Sequence, residues 1–293
     1  TSIKMTILAT FLILLYCFGH SYWNFLVKKS NNPPIMLVSI AIGSWLLPFP
    51  FALFFILTNP PSYESWIYIF INGILQIFYY SLLGRAYKLA DMSIVYPLAR
   101  GSAVFFIPIW GVIFFNESIS SLAILGITLI FFGLIFISVI PLLKKNINIS
   151  RNLLSAIILS VLVGLNISLY TIFDKKAVSN VNPFVYVILI TIFGSLGALL
   201  FTSGKNKIAH LRDNFKKNYL TIFSGSIIMY LAYSLMLFAL KFSKISYAGT
   251  ARELTIIVGI MWSYFLLREK INLIRIISIF IIFVGAVTIS LAK

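Results

Sequence analysis

Charged side chains lie inside long apolar segments of this chain. Arg100 lies about two helical turns inside one segment, and Arg252 and Glu253 lie at a similar depth in another. A charge at this depth in a membrane costs about 2.5–3.5 kcal/mol on insertion scales, so it needs a partner or a water-filled cavity. The two guanidinium groups could bind a carboxylate or phosphonate through paired hydrogen bonds. The alternative is a structural role, in which they pair with Glu253, Asp174 or helix carbonyl groups.

Asp174 lies near the end of a further apolar segment. Together, Asp174 and Glu253 nearly cancel the charges of Arg100 and Arg252. A cavity with balanced charges suits a zwitterion, such as an amino acid, or a neutral polar solute better than a strong anion. Glu253, Asp174 and His20 are also the residues that could exchange a proton with such a cavity.

Polar and aromatic side chains accompany these charges. His20 and Trp23 share one face of a helix because they are three residues apart, and Asn24 follows them. The other residues that we expect in the wall of a binding cavity are Gln76, Tyr79, Tyr80, Tyr96, Asn166, Tyr170, Tyr230 and Tyr233. The alternative is that these side chains form hydrogen bonds between helices, or that tyrosines near segment ends lie at the membrane interface.

The elements that must position these residues are membrane helices. The chain of 293 residues is 60% hydrophobic and only 10% charged, whereas soluble domains carry about 25% charged residues. A membrane-spanning helix needs about 20 mainly apolar residues. The sequence predicts an all-α integral membrane protein with ten such helices, near residues 5–27, 35–58, 66–89, 94–115, 120–143, 152–173, 183–202, 218–241, 245–267 and 271–291. The stretch 203–218 is predicted to be a basic linker.

An internal repeat organises the predicted helices into two halves. Residues 99–101 (Ala-Arg-Gly) match residues 251–253 (Ala-Arg-Glu), an offset of 152 residues (252 − 100). Each half, residues 1–146 and residues 147–293, contains five predicted helices. Because an odd number of crossings inserts the second copy upside down, the sequence predicts an inverted repeat with a cavity between the halves. Such an arrangement is typical of transporters that work by alternating access.

The sequence resembles the drug/metabolite transporter superfamily, specifically its EamA-type permeases with two five-helix repeats. The resemblance is carried by residues 20–24 with Lys28, by residues 96–101 and 252–255, and by the turns at 116–119 and 268–271. It covers nearly the whole chain and implies a secondary transporter of a small polar metabolite in the cell (inner) membrane. Relatives carry glycine where this chain has Asn116 and Arg268, and the family's solutes are diverse.

Lysine and arginine residues are unequally divided between the two sides of the predicted helices. The net charge is +16, and the loops near 28–29, 85–88, 144–151, 203–218 and 268–275 hold most of these residues. Cytoplasmic loops are enriched in these residues, so we expect these loops inside and both chain termini outside. The charges occur in short gaps between apolar segments, so we do not expect nucleic-acid binding.

The sequence contains no phosphate-binding glycine loop, metal-ligand spacing or nucleophile elbow. We therefore expect no cofactor and no metal, and the expected partners are a small-molecule substrate and the lipid bilayer. Two other functions stay open, a membrane-embedded lipid-modifying enzyme and a non-transporting receptor or scaffold. The enzyme would need clustered acids, but the chain has only seven Asp and Glu residues and they do not cluster in sequence.

Overall fold

The computed structural model describes residues 6–90, 92–144, 150–201, 206–267 and 273–292. Within these ranges the regular structure is entirely helical. The helices are α1 (Ile7–Lys29), α2 (Pro33–Leu46), α3 (Phe49–Thr58), α4 (Tyr63–Leu89), α5 (Met92–Phe115), α6 (Ser121–Lys144), α7 (Arg151–Ala177), α8 (Pro183–Phe201), α9 (Lys207–Lys217), α10 (Tyr219–Lys241), α11 (Ile245–Ala251), α12 (Thr255–Leu267) and α13 (Leu273–Leu291). A 3₁₀ turn, Arg252–Leu254, joins α11 to α12.

Eight helical segments of the described chain are long and apolar enough to cross a membrane. They are Ile7–Lys29, Pro33–Thr58, Tyr63–Leu89, Ile94–Phe115, Arg151–Ala177, Pro183–Leu200, Tyr219–Lys241 and Leu273–Leu291. A shorter apolar helix covers Ser121–Ile137. The chain is therefore a multi-pass, all-helical membrane protein.

Side-chain caps fix where several of these helices begin. The side chains of Thr6, Asn32, Ser62 and Ser150 accept hydrogen bonds from backbone N–H groups in the first turns of α1, α2, α4 and α7. The first N–H groups of a helix have no partner within the helix, so such a cap stabilises its start.

The segment predicted as one helix over 35–58 is interrupted. Helix α2 ends at Leu46 and α3 begins at Phe49, with Pro48 at the N-cap position and Pro50 in the first turn of α3. Proline has no N–H group to donate, and its ring clashes with the carbonyl one turn earlier, so the helix breaks at this point. By contrast, α5 continues through both Pro97 and Pro108.

The segment predicted as one helix over 245–267 is also divided. The backbone tightens into the 3₁₀ turn at Arg252 and Glu253, which are 1% and 0% exposed. The turn directs both charged side chains into the interior, where they contact each other. A 3₁₀ segment within a helix often marks a functional hinge, and no proline or glycine at these positions predicts it.

The predicted basic linker at 203–218 is wrong in part, because residues Lys207–Lys217 form α9. Leu211 is buried on one face of this short helix, whereas Arg212 and Lys216 are exposed. The amide nitrogen of Asn214 donates to the Ser39 hydroxyl over 2.9 Å, which holds α9 against α2.

Helices at equivalent positions in the two halves have equivalent neighbours. Helix α4 packs on α7 and α8, just as α10 packs on α1 and α2. Likewise, α5 packs on α7 and α12 packs on α1. Helices α6 and α13 approach each other closely at two glycines, since a Cβ atom on Gly126 would lie 2.6 Å from the carbonyl oxygen of Gly285. Small residues allow such close contact between membrane helices.

Candidate functional site

A cavity of about 650 Å³ lies between helices of both halves. Its wall contains residues from α1, α2, α4, α5, α7, α8, α9 and α10. The cavity extends inwards to Tyr16 and Arg100. Its mouth is lined by the exposed residues Asn32, Lys88 and His210. The cavity therefore opens at the end of the bundle that carries the lysine-rich loops.

Most residues that the sequence predicts for a binding cavity line this wall. They are His20, Trp23, Asn24, Gln76, Tyr79, Tyr80, Tyr96, Arg100, Tyr170 and Tyr233. They come from five helices that are distant in the sequence, and the fold brings them to one space.

Four predicted residues do not line it. The side chain of Asn166 is buried, and Tyr230 donates a hydrogen bond to the Phe184 carbonyl over 3.3 Å and borders a separate cavity of about 370 Å³. Arg252 and Glu253 are buried and lie outside the wall.

Arg100, Glu253 and Arg252 form a buried cluster at the inner end of the cavity. Nη1 of Arg100 lies 3.2 Å from Oε1 of Glu253, and Nε of Arg252 lies 3.4 Å from the same oxygen. The other oxygen, Oε2, has no hydrogen-bond partner among the described residues. One carboxylate thus serves two guanidinium groups, so the cluster carries one excess positive charge.

His20 accepts a hydrogen bond from this cluster. Nη2 of Arg100 lies 3.1 Å from Nε2 of His20, and a guanidinium group can only donate, so Nε2 must be unprotonated. The Cζ atom of Arg100 also lies 5.2 Å from the ring centroid of Tyr96, a cation–π distance. These contacts fix the guanidinium at the wall.

The wall of the cavity carries several aromatic rings and two positively charged residues. The ring centroids of Tyr79 and Tyr80 are 5.0 Å apart, and those of Tyr79 and Tyr170 are 6.2 Å apart. Among the described residues that line the cavity, none is Asp or Glu, whereas Arg100 and Lys88 are both present. The wall thus offers cationic donors to an acidic group and ring faces to an apolar or cationic group.

The sequence interpretation missed several wall residues. Tyr16 precedes His20 by one helical turn, and Thr191 precedes Ser195 by one turn, so each pair shares a face. Helical spacing from His20 could have identified Tyr16. Nothing in the sequence marks Tyr87, Lys88 or His210, which reach the cavity because α4 and α9 border its mouth.

Asp174 lies in a buried polar network beside the cavity. Its Oδ1 accepts hydrogen bonds from Nδ2 of Asn72 (2.7 Å) and from the Tyr186 hydroxyl (3.1 Å). Its Oδ2 accepts a hydrogen bond from the Tyr233 hydroxyl (2.8 Å). Gln76 extends the network, because its Nε2 atom donates to Oδ1 of Asn72 over 3.2 Å. Because Gln76 and Tyr233 line the cavity, the network connects Asp174 to it.

The opposite end of the bundle is closed by hydrogen bonds between the halves. The Glu117 carboxylate accepts from the backbone N–H groups of Ile245 (2.6 Å) and Ser246 (3.0 Å), at the start of α11. At the same end, but within the second half, the Lys175 ammonium donates to the Ser243 carbonyl over 2.7 Å. Glu117 therefore caps a helix in the other half of the chain, and its repeat counterpart Glu269 lies outside the described residues.

Asn116 forms the turn that places Glu117. Its φ of 50° lies in the left-handed region, which asparagine tolerates better than other residues that carry a Cβ atom. The N–H group of Glu117 then donates to the Gly111 carbonyl over 3.1 Å. Asparagine can thus occupy this left-handed position, which otherwise favours glycine.

Within the described ranges, no group of three or more His, Cys, Asp and Glu side chains is arranged to hold a metal ion. The arrangement instead suits reversible binding of a small solute in a cavity that opens at one end.

Comparisons with known proteins support this interpretation. The EamA-like transporter family matches residues 7–139 and 154–291. A solved structure titled only "Crystal structure of protein" superimposes with a TM-score of 0.65 and 14% sequence identity, over 99% of this chain and 99% of that chain. At this identity the likeness shows a shared fold and nothing about the solute. A comparison with curated proteins finds no match.

Proposed function

The chain belongs to the EamA-like transporter family, and from this premise we propose that it moves a small polar metabolite across the cell (inner) membrane by alternating access. The observation that carries this proposal is the cavity of about 650 Å³ between the halves, whose mouth lies among the exposed residues Asn32, Lys88 and His210. A transporter needs such a cavity, whereas an enzyme would need a reactive group in it.

Ten membrane crossings, arranged as two inverted repeats over 1–146 and 147–293, complete this proposal. The apolar helix Ser121–Ile137 supplies a ninth crossing, and the interrupted segment of α11, the 3₁₀ turn and α12 supplies the tenth. Two features support the repeats. The family matches the chain twice, and equivalent helices in the two halves have equivalent neighbours.

A pair of repeat-related tryptophans supports alternating access. At the closed end, Nε1 of Trp110 donates to the Ser168 hydroxyl over 2.8 Å. In the repeat alignment that matches Arg100 with Arg252, Trp110 corresponds to Trp262. In the alignment that matches Trp23 with Tyr170, Ser168 corresponds to Ser21. There, the Trp262 nitrogen has no partner among the described residues, and Ser21 donates to the Thr255 carbonyl over 2.6 Å. The tryptophan–serine hydrogen bond is thus present at the closed end and absent between its repeat counterparts. Such asymmetry is what alternating access requires of two similar halves.

The proposed solute is a zwitterion such as an amino acid. Its carboxylate would bind Arg100, which belongs to a cluster with one excess positive charge. Its ammonium group would lie on the tyrosine faces near Tyr79, Tyr80 and Tyr170, since ring faces attract cations. Glu253 is less suited to that ammonium group, because it is 0% exposed and does not line the cavity.

A ligand screen followed by an uptake assay tests the proposed function. Purified protein is heated with amino acids, betaines, phosphonates or nucleosides, and uptake of each stabilising compound into proteoliposomes is measured. We expect at least one carboxylate-containing compound both to raise the melting temperature and to enter the vesicles. Stabilisation without entry would favour the non-transporting receptor instead. As a control, Arg85→Ala, which changes an exposed residue of α4, should behave as wild type does in both assays.

A further inference from the structure

Asp174 is a buried carboxyl group beside the cavity, with hydrogen bonds only from neutral groups. We propose that Asp174 is the proton-binding site that couples solute movement to a proton gradient. This inference rests on the proposed transport function and adds the coupling ion and its binding residue. Asp174 is 0% exposed, and its three hydrogen-bond partners are an amide and two phenols.

The surroundings of Asp174 contain no ion-pair partner. Within the described residues, no Lys, Arg or His nitrogen lies within 4.0 Å of its carboxylate. Burial without a directly paired cation destabilises an ionised carboxylate, and a bound proton removes this penalty. The titratable and charged groups that face Asp174 are Tyr170 on its own helix, Tyr186 on α8, Tyr233 on α10 and Arg252 on the 3₁₀ turn. Its neighbour Lys175 instead donates to carbonyl groups at the end of α10.

The other two candidates for proton binding are held in one protonation state. A proton on Glu253 would leave two buried guanidinium groups without their shared counter-charge. A proton on Nε2 of His20 would face the guanidinium of Arg100 at 3.1 Å, where a donor would meet a donor. Neither restriction applies to Asp174.

The network around Asp174 can accept a proton without leaving a donor or acceptor unpaired. A phenol hydroxyl donates or accepts, so a protonated Asp174 can donate to Tyr233, whose hydroxyl then turns and donates to water in the cavity. Tyr233 reaches the cavity wall, so a proton can pass from cavity water through its hydroxyl to Oδ2 of Asp174. The Tyr233 hydroxyl takes a proton from water as it gives its own to Asp174, so the phenol is neutral before and after the transfer.

The position of Asp174 links proton binding to the closed end of the bundle. Its bonds join α7 to α4, α8 and α10, and its neighbour Lys175 belongs to the contacts that close that end. Hydrogen bonds to an ionised carboxylate are about twice as strong as those between neutral groups. The ionised form therefore holds its three donors on α4, α8 and α10 more strongly than the protonated form does. Protonation weakens these contacts between helices, which favours opening of the closed end.

The internal repeat shows that this carboxylate is not needed to build a half. In the repeat alignment that matches Tyr170 with Trp23, Asp174 corresponds to Val27. By the offset that relates Tyr80 to Tyr233, Asn72 corresponds to Gly225. The first half therefore forms without a carboxylate at this position. The network exists once, which predicts one proton for each transport cycle.

Infrared difference spectroscopy tests proton binding without any solute. Wild-type protein in liposomes is compared at acidic and alkaline pH, and the band of interest is the C=O stretch of a protonated carboxyl group. We expect a band that Asp174→Asn abolishes and that Asp213→Asn, an exposed acid on α9, leaves unchanged. A band that persists in folded Asp174→Asn protein overturns the proposal. Should Asp174→Asn not fold, Tyr233→Phe is measured instead, because it removes one hydrogen-bond donor to Asp174 and should shift the band. An unshifted band in Tyr233→Phe would also overturn the proposal.

An uptake measurement separates failure of this inference from failure of the transport function. Proteoliposomes receive a radiolabelled mixture of the proteinogenic amino acids, with and without an imposed pH gradient. We expect the gradient to drive accumulation in wild type and not in Asp174→Asn, which retains exchange of internal for external label. Gradient-driven accumulation by Asp174→Asn overturns the inference alone. Absence of any uptake by wild type counts against transport of these solutes, while the carboxyl band still decides whether Asp174 binds a proton.

Discussion

At the scale of single residues, the account depends on Arg100. Its guanidinium lies at the cavity wall, and its partners, Glu253 and His20, leave its Nε atom without a hydrogen bond among the described residues. A buried donor without a partner costs free energy, so a ligand atom that occupies it is favoured. Arg100 is therefore the residue at which the proposed solute binding is tested most directly.

Arg100→Ala should reduce apparent solute affinity roughly ten- to hundredfold, because a charge-assisted hydrogen bond contributes about 1.5–3 kcal/mol. Arg100→Lys should also weaken binding, since lysine keeps the charge but loses the planar pair of donors. Isothermal titration with the best compound from the ligand screen measures both. Arg85→Ala should bind as wild type does. Normal affinity in folded Arg100→Ala protein would show that the residue has a structural role only.

Glu253→Gln should destabilise the protein. The substitution leaves two buried guanidinium groups without a carboxylate, and breaking a buried ion pair in this way costs about 3–5 kcal/mol. Thermal unfolding of the purified protein measures the effect, and Glu64→Gln, at an exposed acid, is the control with the same change of charge. An unchanged melting temperature for Glu253→Gln would mean that Glu253 does not hold the arginines in place.

At the scale of elements, helical periodicity predicts the helices and most of the cavity wall but not their interruptions. His20 and Asn24 are expected at the cavity because polar side chains without a partner avoid lipid, and Trp23 shares their helix face. Arg252 and Glu253 lie outside the wall because the 3₁₀ turn redirects them, and their depth in the segment gives no sign of that turn. Likewise, the role of Glu117 depends on a helix start 128 residues later in the chain, a contact that spacing does not show.

Glu117→Gln should loosen the closed end of the bundle. The ionised carboxylate accepts two N–H groups at the start of α11, where the helix dipole also favours a negative charge. In a background in which Cys17, the free cysteine, is replaced by serine, Ser243→Cys reports access, because Ser243 is 1% exposed. We expect a water-soluble maleimide to label this cysteine faster in Glu117→Gln than in Glu64→Gln. Equal labelling rates would show that the Glu117 carboxylate does not hold the closed end together.

At the scale of the whole molecule, composition alone predicts the membrane location, and the repeat predicts two similar halves. The end at which the cavity opens could not be predicted, because both ends of an inverted repeat carry related sequences and packing decides between them. The structure has the cavity mouth at the lysine-rich end. With that end in the cytoplasm, as the loop charges predict, the structure is the inward-open state.

Orientation is tested with a cysteine that replaces Lys216, an exposed residue of α9, in the background without Cys17. The positive-inside rule predicts that an impermeant thiol reagent leaves this cysteine unlabelled on intact cells and labels it after lysis. Ready labelling of intact cells would place α9 outside and make the observed cavity outward-open.

The proposed route of the solute across the membrane passes through the cavity beside Arg100. Thr191→Cys, in the background without Cys17, places a thiol on the cavity wall, and Thr58→Cys places one on an exposed position at the end of α3. Both variants are treated with a bulky thiol reagent, and exchange of the best-binding solute across proteoliposome membranes is then measured. The account predicts that the reagent stops exchange in Thr191→Cys only, and that saturating solute slows its reaction there. Continued exchange by fully modified Thr191→Cys protein would contradict it.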